Sequence, residues 1–171
     1  MKLKNRFLLC ISLLFLIVLI SGCEARREEK DIYDDNDEIV QQWDSFSYRK
    51  RTDKEDSNDK IDFKYSGFYG TDTIWHLESE EDGEITFKYN STVNNGDFKA
   101  VLISPKEEIK NILIGNEEDE KTIKLEKGKY IFKVVGRNAK GKAEISIDKS
   151  QNVDITKIIS DSMFTTFSYV N

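Results

Sequence analysis

The 171 residues include only two cysteines, one histidine and one proline. Both cysteines, Cys10 and Cys23, stand near the start, so everything after residue 23 lacks a disulfide, a thiol nucleophile and a cysteine-based metal site. The lone histidine, His76, excludes a histidine-rich zinc centre, and with no later cysteine a Cys–His pair cannot form. Counting alone leaves a serine triad open, but no Gly-x-Ser-x-Gly elbow occurs. Basic excess is missing too. The 26 Lys and Arg face 32 Asp and Glu, a formal charge of −6, which disfavours nucleic acid as a partner. No repeat of the roughly 20–50 residues that mark a solenoid is visible.

What is present begins with Lys2, Lys4 and Arg6. An apolar run from Phe7 to Ile20 follows, broken by Cys10 and Ser12, then Ser21-Gly22-Cys23 and an abrupt change to charge. A basic start, an apolar stretch of this length and small residues at its end form the signal-peptide pattern. The run is shorter than the ~20 residues that span a bilayer. Leu19-Ile20-Ser21-Gly22-Cys23 resembles the lipobox of bacterial lipoproteins. The resemblance implies cleavage after Gly22 and a diacylglyceryl group, with acyl chains of the palmitate type, on the Cys23 sulfur. It also implies a location on the extracytoplasmic face of the cell membrane, held by that lipid. Without its first 22 residues the chain keeps 23 basic and 32 acidic side chains, a charge of −9. Anionic headgroups would repel such a body, so the lipid must supply the attachment.

The remaining chain divides by composition. Residues 1–22 are the signal peptide, 23–38 the lipidated cysteine and an acidic tether, and 39–171 a single domain with its core at 61–148. The tether, read from EARREEKDIYDDNDE, is too charged to repay its ordering entropy. Asp34, Asn36 and Glu38 have the alternate spacing of a calcium loop but lack its glycine and terminal glutamate. Arg49 to Lys60 has no apolar residue and reads as an exposed loop or second linker. From Ile61 the apolar residues alternate: Ile61/Phe63/Tyr65, Trp75/Leu77, Ile85/Phe87/Tyr89, Ile123/Leu125, Tyr130/Phe132/Val134 and Ala143/Ile145/Ile147. Phe98 to Ile103 is apolar nearly throughout, as in a strand covered on both faces, and Ile109 to Ile114 follows it. Turn residues intervene at Asp82-Gly83, Asn94-Asn95-Gly96, Gly115-Asn116, Lys127-Gly128 and Lys140-Gly141. About eight short strands predict an all-β fold: an antiparallel two-sheet sandwich of jelly-roll or Greek-key type. Apolar spacing allows short helices at 39–48, where a strand is also possible, and at 154–164, and the C-terminal Phe164, Phe167, Tyr169 and Val170 are expected to pack back on the sandwich.

The segments Trp75-His76-Leu77, Gly83 to Phe87, Gly96 to Pro105, Leu125 to Tyr130 and Val134 to Gly141 resemble, in that order, small uncharacterised lipoproteins of Gram-positive bacteria with one jelly-roll-like domain. A broader likeness runs to pre-peptidase C-terminal and carbohydrate-binding sandwiches. The resemblance implies fold and no site residues. From the residues themselves, His76 reads as a surface or packed side chain. The acidic clusters Glu78/Glu80/Glu81/Asp82 and Glu117 to Glu120 read as solvated turns, although each carries oxygen ligands suited to weak calcium binding. Gly67-Phe68-Tyr69-Gly70 reads as a bulge with core aromatics, against the alternative of rings exposed for stacking on a sugar or peptide. No catalytic residue, metal ligand or cofactor site is assigned, and Cys23 is the one modified residue.

The expected function is therefore non-enzymatic: a membrane-anchored binding or interaction module for a cell-envelope glycan or protein. Two alternatives stand beside it. One is an envelope hydrolase with paired carboxylates, which requires two acids close together in a concave site. The other is a structural accessory subunit of an envelope complex, which requires an exposed apolar patch near Phe164 to Val170.

Overall fold

A computed structural model describes residues 32–149 and 151–158. A 3-10 turn (Ile32–Asp34) and one helical turn, α1 (Asn36–Ile39), precede eight strands: β1 (Ser45–Ser47), β2 (Lys50–Ser57), β3 (Lys60–Ser79), β4 (Gly83–Ile103), β5 (Ile109–Ile114), β6 (Glu117–Leu125), β7 (Gly128–Lys149) and β8 (Val153–Lys157). All pairings are antiparallel.

Three of the strands, β3, β4 and β7, run for 20 to 22 residues, and each contributes to both layers. The first layer runs β6, β4 (83–93), β7 (141–149), β3 (60–65), β2. The second runs β5, β4 (97–103), β7 (128–136), β3 (70–79), with β1 and β8 sharing the outer edge of β3. Counted by halves, the strand order is that of a jelly roll, with β2 added to the first layer and β1 and β8 to the second. The all-β antiparallel sandwich predicted from alternation is therefore the observed fold. Two of the expected turns are something else. Asn94-Asn95-Gly96 and Lys140-Gly141 lie inside β4 and β7, where continuous strands bend from one layer into the other. Ladder register shifts at 65/68 and 68/70 in β3 and at 93/95 and 95/97 in β4 mark the corner. Gly70 (φ +88°), Gly96 (φ +68°) and Asn138 (φ +51°) carry the left-handed backbone there. A Cβ on Gly96 would sit 2.3 Å from the Arg137 carbonyl oxygen, so β4 and β7 can lie side by side at the bend only with glycine in that place.

Inward residues of the two layers meet in one core. Phe63, Phe68, Trp75, Phe87, Phe98 and Phe132 are fully buried in it. Rings stack across the layers, Phe87 on Phe132 (4.9 Å, 18°) and Tyr65 on Phe98 (4.6 Å, 21°). Each such ring contributes about 1.5–3 kcal/mol by burial.

The outer face of the second layer is covered as well. Tyr33 and Ile39 close over Val101, Ile103 and Val135 in a separate apolar cluster, so Phe98 to Ile103 is indeed buried on both sides. Residues 32–38, expected from composition to belong to the tether, therefore lie on the second layer together with Ile39. Window composition conceals Tyr33 and Ile39 among charges, and those charges find partners. Asp35 caps α1, Arg137 pairs with Asp34 and Asp97, and the Tyr33 ring lies under the Lys99 ammonium (4.6 Å) and the Arg137 guanidinium (4.8 Å).

Three further expectations are corrected. The helix allowed over 39–48 is limited to the end of α1, and Ser45–Ser47 is a strand. The helix allowed over 154–164 is strand β8 as far as Lys157, while residues 159–164 and the C-terminal aromatics lie outside the described residues. The charged run 49–60 is no linker but largely edge strand β2. An edge strand needs only backbone donors and acceptors to join a ladder, and charged side chains guard its free side.

Candidate functional site

Alternation places His76 and Glu78 on the outer face of β3, between Trp75, Leu77 and Ser79, which point into the protein. Register then fixes their neighbours. His76 lies between Thr156 of β8 and Ile131 of β7, and Ile131 lies opposite Ile103 of β4. One step along, Glu78 lies between Asp154 and Lys129. These two rows floor an open groove of about 760 Å³, the largest described. Val40 and Gln42 of the N-terminal cover form one wall, and Ser104, Pro105 and Glu107 the other. The apolar part of the floor lies on its β7–β4 side, where Ile131 is half-buried and Ile103 buried, and the rest carries an imidazole, two carboxylates, an ammonium and a hydroxyl. Trp43, next after Gln42, is 64% exposed, far more than its size favours.

The cover that makes this wall is fastened by a buried cation. Lys133 is fully buried on the outer face of β7, and its ammonium donates to the carbonyls of Gln41 (2.6 Å) and Trp43 (3.2 Å) and pairs with Asp44 (3.1 Å). Asp44 in turn accepts from the Thr73 backbone (3.0 Å) and hydroxyl (2.8 Å). Buried charge is tolerable only with such saturation.

Asp72 is the other buried acid and a rival candidate. Its Oδ2 accepts from Tyr48 (2.8 Å) and Arg51, which also lies over the Tyr48 and Phe63 rings. Burial pushes the carboxyl from 3.8 up to about 6, against the opposing pull of Arg51 and Tyr48. The side chain has no exposed surface, so it ties the β1–β2 corner to β3 and reaches no ligand. A carboxyl raised above its unfolded value adds stability that is complete below 3.8 and is lost as pH climbs through about 6. Arg51→Gln removes the partner and widens that loss. We expect it to lower unfolding free energy by about 2 kcal/mol at pH 7.5 and by much less at pH 4.5, where Asp72 is protonated in either protein. Urea melts at the two pH values check this, and an equal loss at both would contradict it.

The residues singled out from sequence fall as follows. Cys23 lies outside the described residues. His76 is exposed in the groove, with Glu78 beside it. Glu80, Glu81 and Asp82 are exposed on the β3–β4 turn, and Glu118 to Glu120 are exposed on β6. Among the described residues no group of three or more His, Cys, Asp or Glu is placed to hold a metal ion. Phe68 is fully buried in the core while Tyr69 is half-buried outside it, so the Gly67 to Gly70 segment is a bend with one core aromatic. Three acids line the groove, Glu107 exposed on its wall and Glu78 and Asp154 side by side on its floor. Glu78 is 58% exposed with Lys129 at 3.7 Å, and Asp154 is exposed, so the groove takes neither carboxyl out of water as paired-acid hydrolysis requires. Gln42, Asp154 and Thr156 carried no sequence signal as site residues. They meet His76 only because the cover and β8 close onto β3.

The sequence matches no protein-family model and none of the curated proteins. Solved structures similar to the chain include a carbohydrate-binding module from Cellvibrio mixtus lichenase 5A in complex with cellotriose, at 16% identity and TM-score 0.39 over 62% of this chain and 90% of that one. Another is the carbohydrate-binding module Xyl-CBM35 in complex with a glucuronic acid-containing disaccharide, at 7% identity and TM-score 0.37 over 66% and 84%. A third is the enzymatically active domain of bacteriophage CBA120 tailspike protein 4, at 10% identity and TM-score 0.37 over 76% and 21%. Likeness at these values assigns no site and no ligand to this chain.

Proposed function

We propose that this chain is a non-catalytic binding module, held at the extracytoplasmic face of the membrane by a lipid on Cys23, and that its ligand is a glycan chain lying in the groove over His76. The groove carries the reading. It is open and long, like the seat of an extended ligand rather than the pocket of a small apolar one. Its hydrogen-bonding groups lie beside the half-buried apolar Ile131, which suits sugar rings that present hydroxyls at their edges and C–H bonds on their faces. Trp43, next in sequence to Gln42, exposes an indole of the kind that stacks on sugar rings.

Calorimetric titration of the full chain, kept in a polyoxyethylene detergent, against neutral and charged oligosaccharides tests the proposal. Binding is expected, with His76→Ala and Asp154→Ala each weakening it by roughly tenfold, the value of one or two lost hydrogen bonds. Both side chains are exposed, so melting temperature should barely change. Absence of binding by any oligosaccharide, or binding that both variants leave intact, would reject the glycan groove.

A further inference from the structure

The loop from Ser104 to Glu108 is a ridge with a groove on either side. Ser104 holds it together. Its Oγ accepts from the backbone N–H groups of Lys106 (3.2 Å) and Glu108 (3.1 Å), its N–H donates to the Glu108 carbonyl (2.9 Å), and its carbonyl accepts from Glu107 (2.9 Å). Glu107 takes a left-handed φ of +62°, a conformation that costs a non-glycine residue energy and that this bonding enforces. Pro105 lies against Gly128, where a Cβ would approach its Cγ to 2.5 Å. The ridge is therefore stiff, and Ser104, Pro105 and Tyr130 border both grooves, so one ligand can run from one into the other.

The second groove, about 350 Å³, lies where the layers part, because β5 pairs only within the second layer and β6 only within the first. Its character differs from that of the first. Lys110 from β5, Lys124 from β6 and Lys127 from the β6–β7 turn line it and form no ion pair among the described residues, Lys124 standing opposite Glu84 across the β4–β6 ladder. Lys106 is matched by Glu126 (2.8 Å), and Glu108 is the other acid on its rim. The lining thus carries four ammonium groups (Lys106, Lys110, Lys124, Lys127) against two carboxylates (Glu108, Glu126), a local excess of positive charge in a chain whose formal charge is −6, which favours an anion there.

We propose that this second groove is an anion subsite, which takes carboxylate or phosphate groups borne by the glycan whose neutral rings occupy the first. The inference rests on the glycan reading and narrows it to acidic chains. It is tested with the full chain in the same detergent, using matched pairs: an oligogalacturonate with its carboxyl-reduced counterpart, and a phosphomannan fragment with its dephosphorylated counterpart. At low salt at least one acidic member should bind about tenfold or more tighter than its neutral partner, and the gap should close near 0.5 M salt as the charges are screened. Which pair shows the gap identifies carboxylate or phosphate as the source. The triple variant Lys110→Gln/Lys124→Gln/Lys127→Gln should erase the gap while leaving neutral affinity alone, and the salt titration of the unaltered chain reads the same effect with no substitution. Neutral members binding as tightly as acidic ones, or a gap that survives the triple variant, overturn the anion subsite alone. If no oligosaccharide binds, the subsite and the glycan reading fall together.

Discussion

Replacing Cys23 with alanine is expected to abolish the membrane-bound, shortened form of the protein while leaving the melting temperature of the sandwich unchanged. On the proposed lipoprotein reading the Cys23 sulfur is the lipid acceptor, and the methyl group of alanine cannot act as that nucleophile. Two acyl chains, at ~0.8 kcal/mol per buried methylene, dominate membrane attachment for a body with a charge of −9. Removing them leaves nothing to offset the repulsion from anionic headgroups. The fold should not notice, because Cys23 stands nine positions before Ile32, where the packed N-terminal cover begins. Mass spectrometry of the native protein should find a lipid-modified N-terminus at Cys23 with residues 1–22 gone. The variant should be either free in mature form or retained as a precursor that still carries them. An intact N-terminus in the native protein, or a mature-sized variant still in the membrane fraction, would sink the lipoprotein reading.

Gly70→Ala should be among the most destabilising single substitutions in the domain, by about 3–5 kcal/mol. A left-handed backbone costs an L-residue roughly 1–2 kcal/mol by itself. At Gly70 a second cost is larger. The new Cβ would lie 1.8 Å from the Ser45 carbonyl oxygen and 2.8 Å from its carbonyl carbon, both backbone atoms of β1, which pairs with β3 here. Strand β1 must move, and with it Tyr48, which stacks on Phe68 at 4.3 Å, and Asp44, which holds Lys133. Gly115 is the control. Its φ of +67° is also left-handed, but nothing lies within 4 Å of its Cβ position. Gly115→Ala should cost about 1 kcal/mol, the local conformation alone. Denaturant melts of the two variants separate the effects, and equal losses would show that the corner is not held as described.

The alternation of Phe63 with Tyr65, Trp75 with Leu77 and Phe132 with Val134 was enough to declare an all-β sandwich, because a strand with one buried face must repeat every second residue. The same rule set His76 opposite Trp75 and Leu77 but left open whether it was a surface or a packed side chain, which the structure decides in favour of the surface. The lipobox around Cys23 is likewise a local pattern and needs no fold to be read. Where the strands end was less legible. Glycine and asparagine mark a hairpin turn and a mid-strand bend alike, since both need left-handed backbone, so Asn94-Asn95-Gly96 looked like an end and proved to be a corner within β4. Partners distant in sequence were not legible at all. Arg51 belongs to a strand because Asp72, 21 residues on, matches its charge in the protein, and Lys133 is buried because Gln41, Trp43 and Asp44 fold back over it. Both proposed grooves depend on such distant closures, one on β8 and the N-terminal cover meeting β3, the other on β5 and β6 parting at the sandwich edge. Local periodicity sets which face of a strand is wet. Which strands become neighbours, and so which wet residues share a groove, follows from packing between segments far apart in the chain.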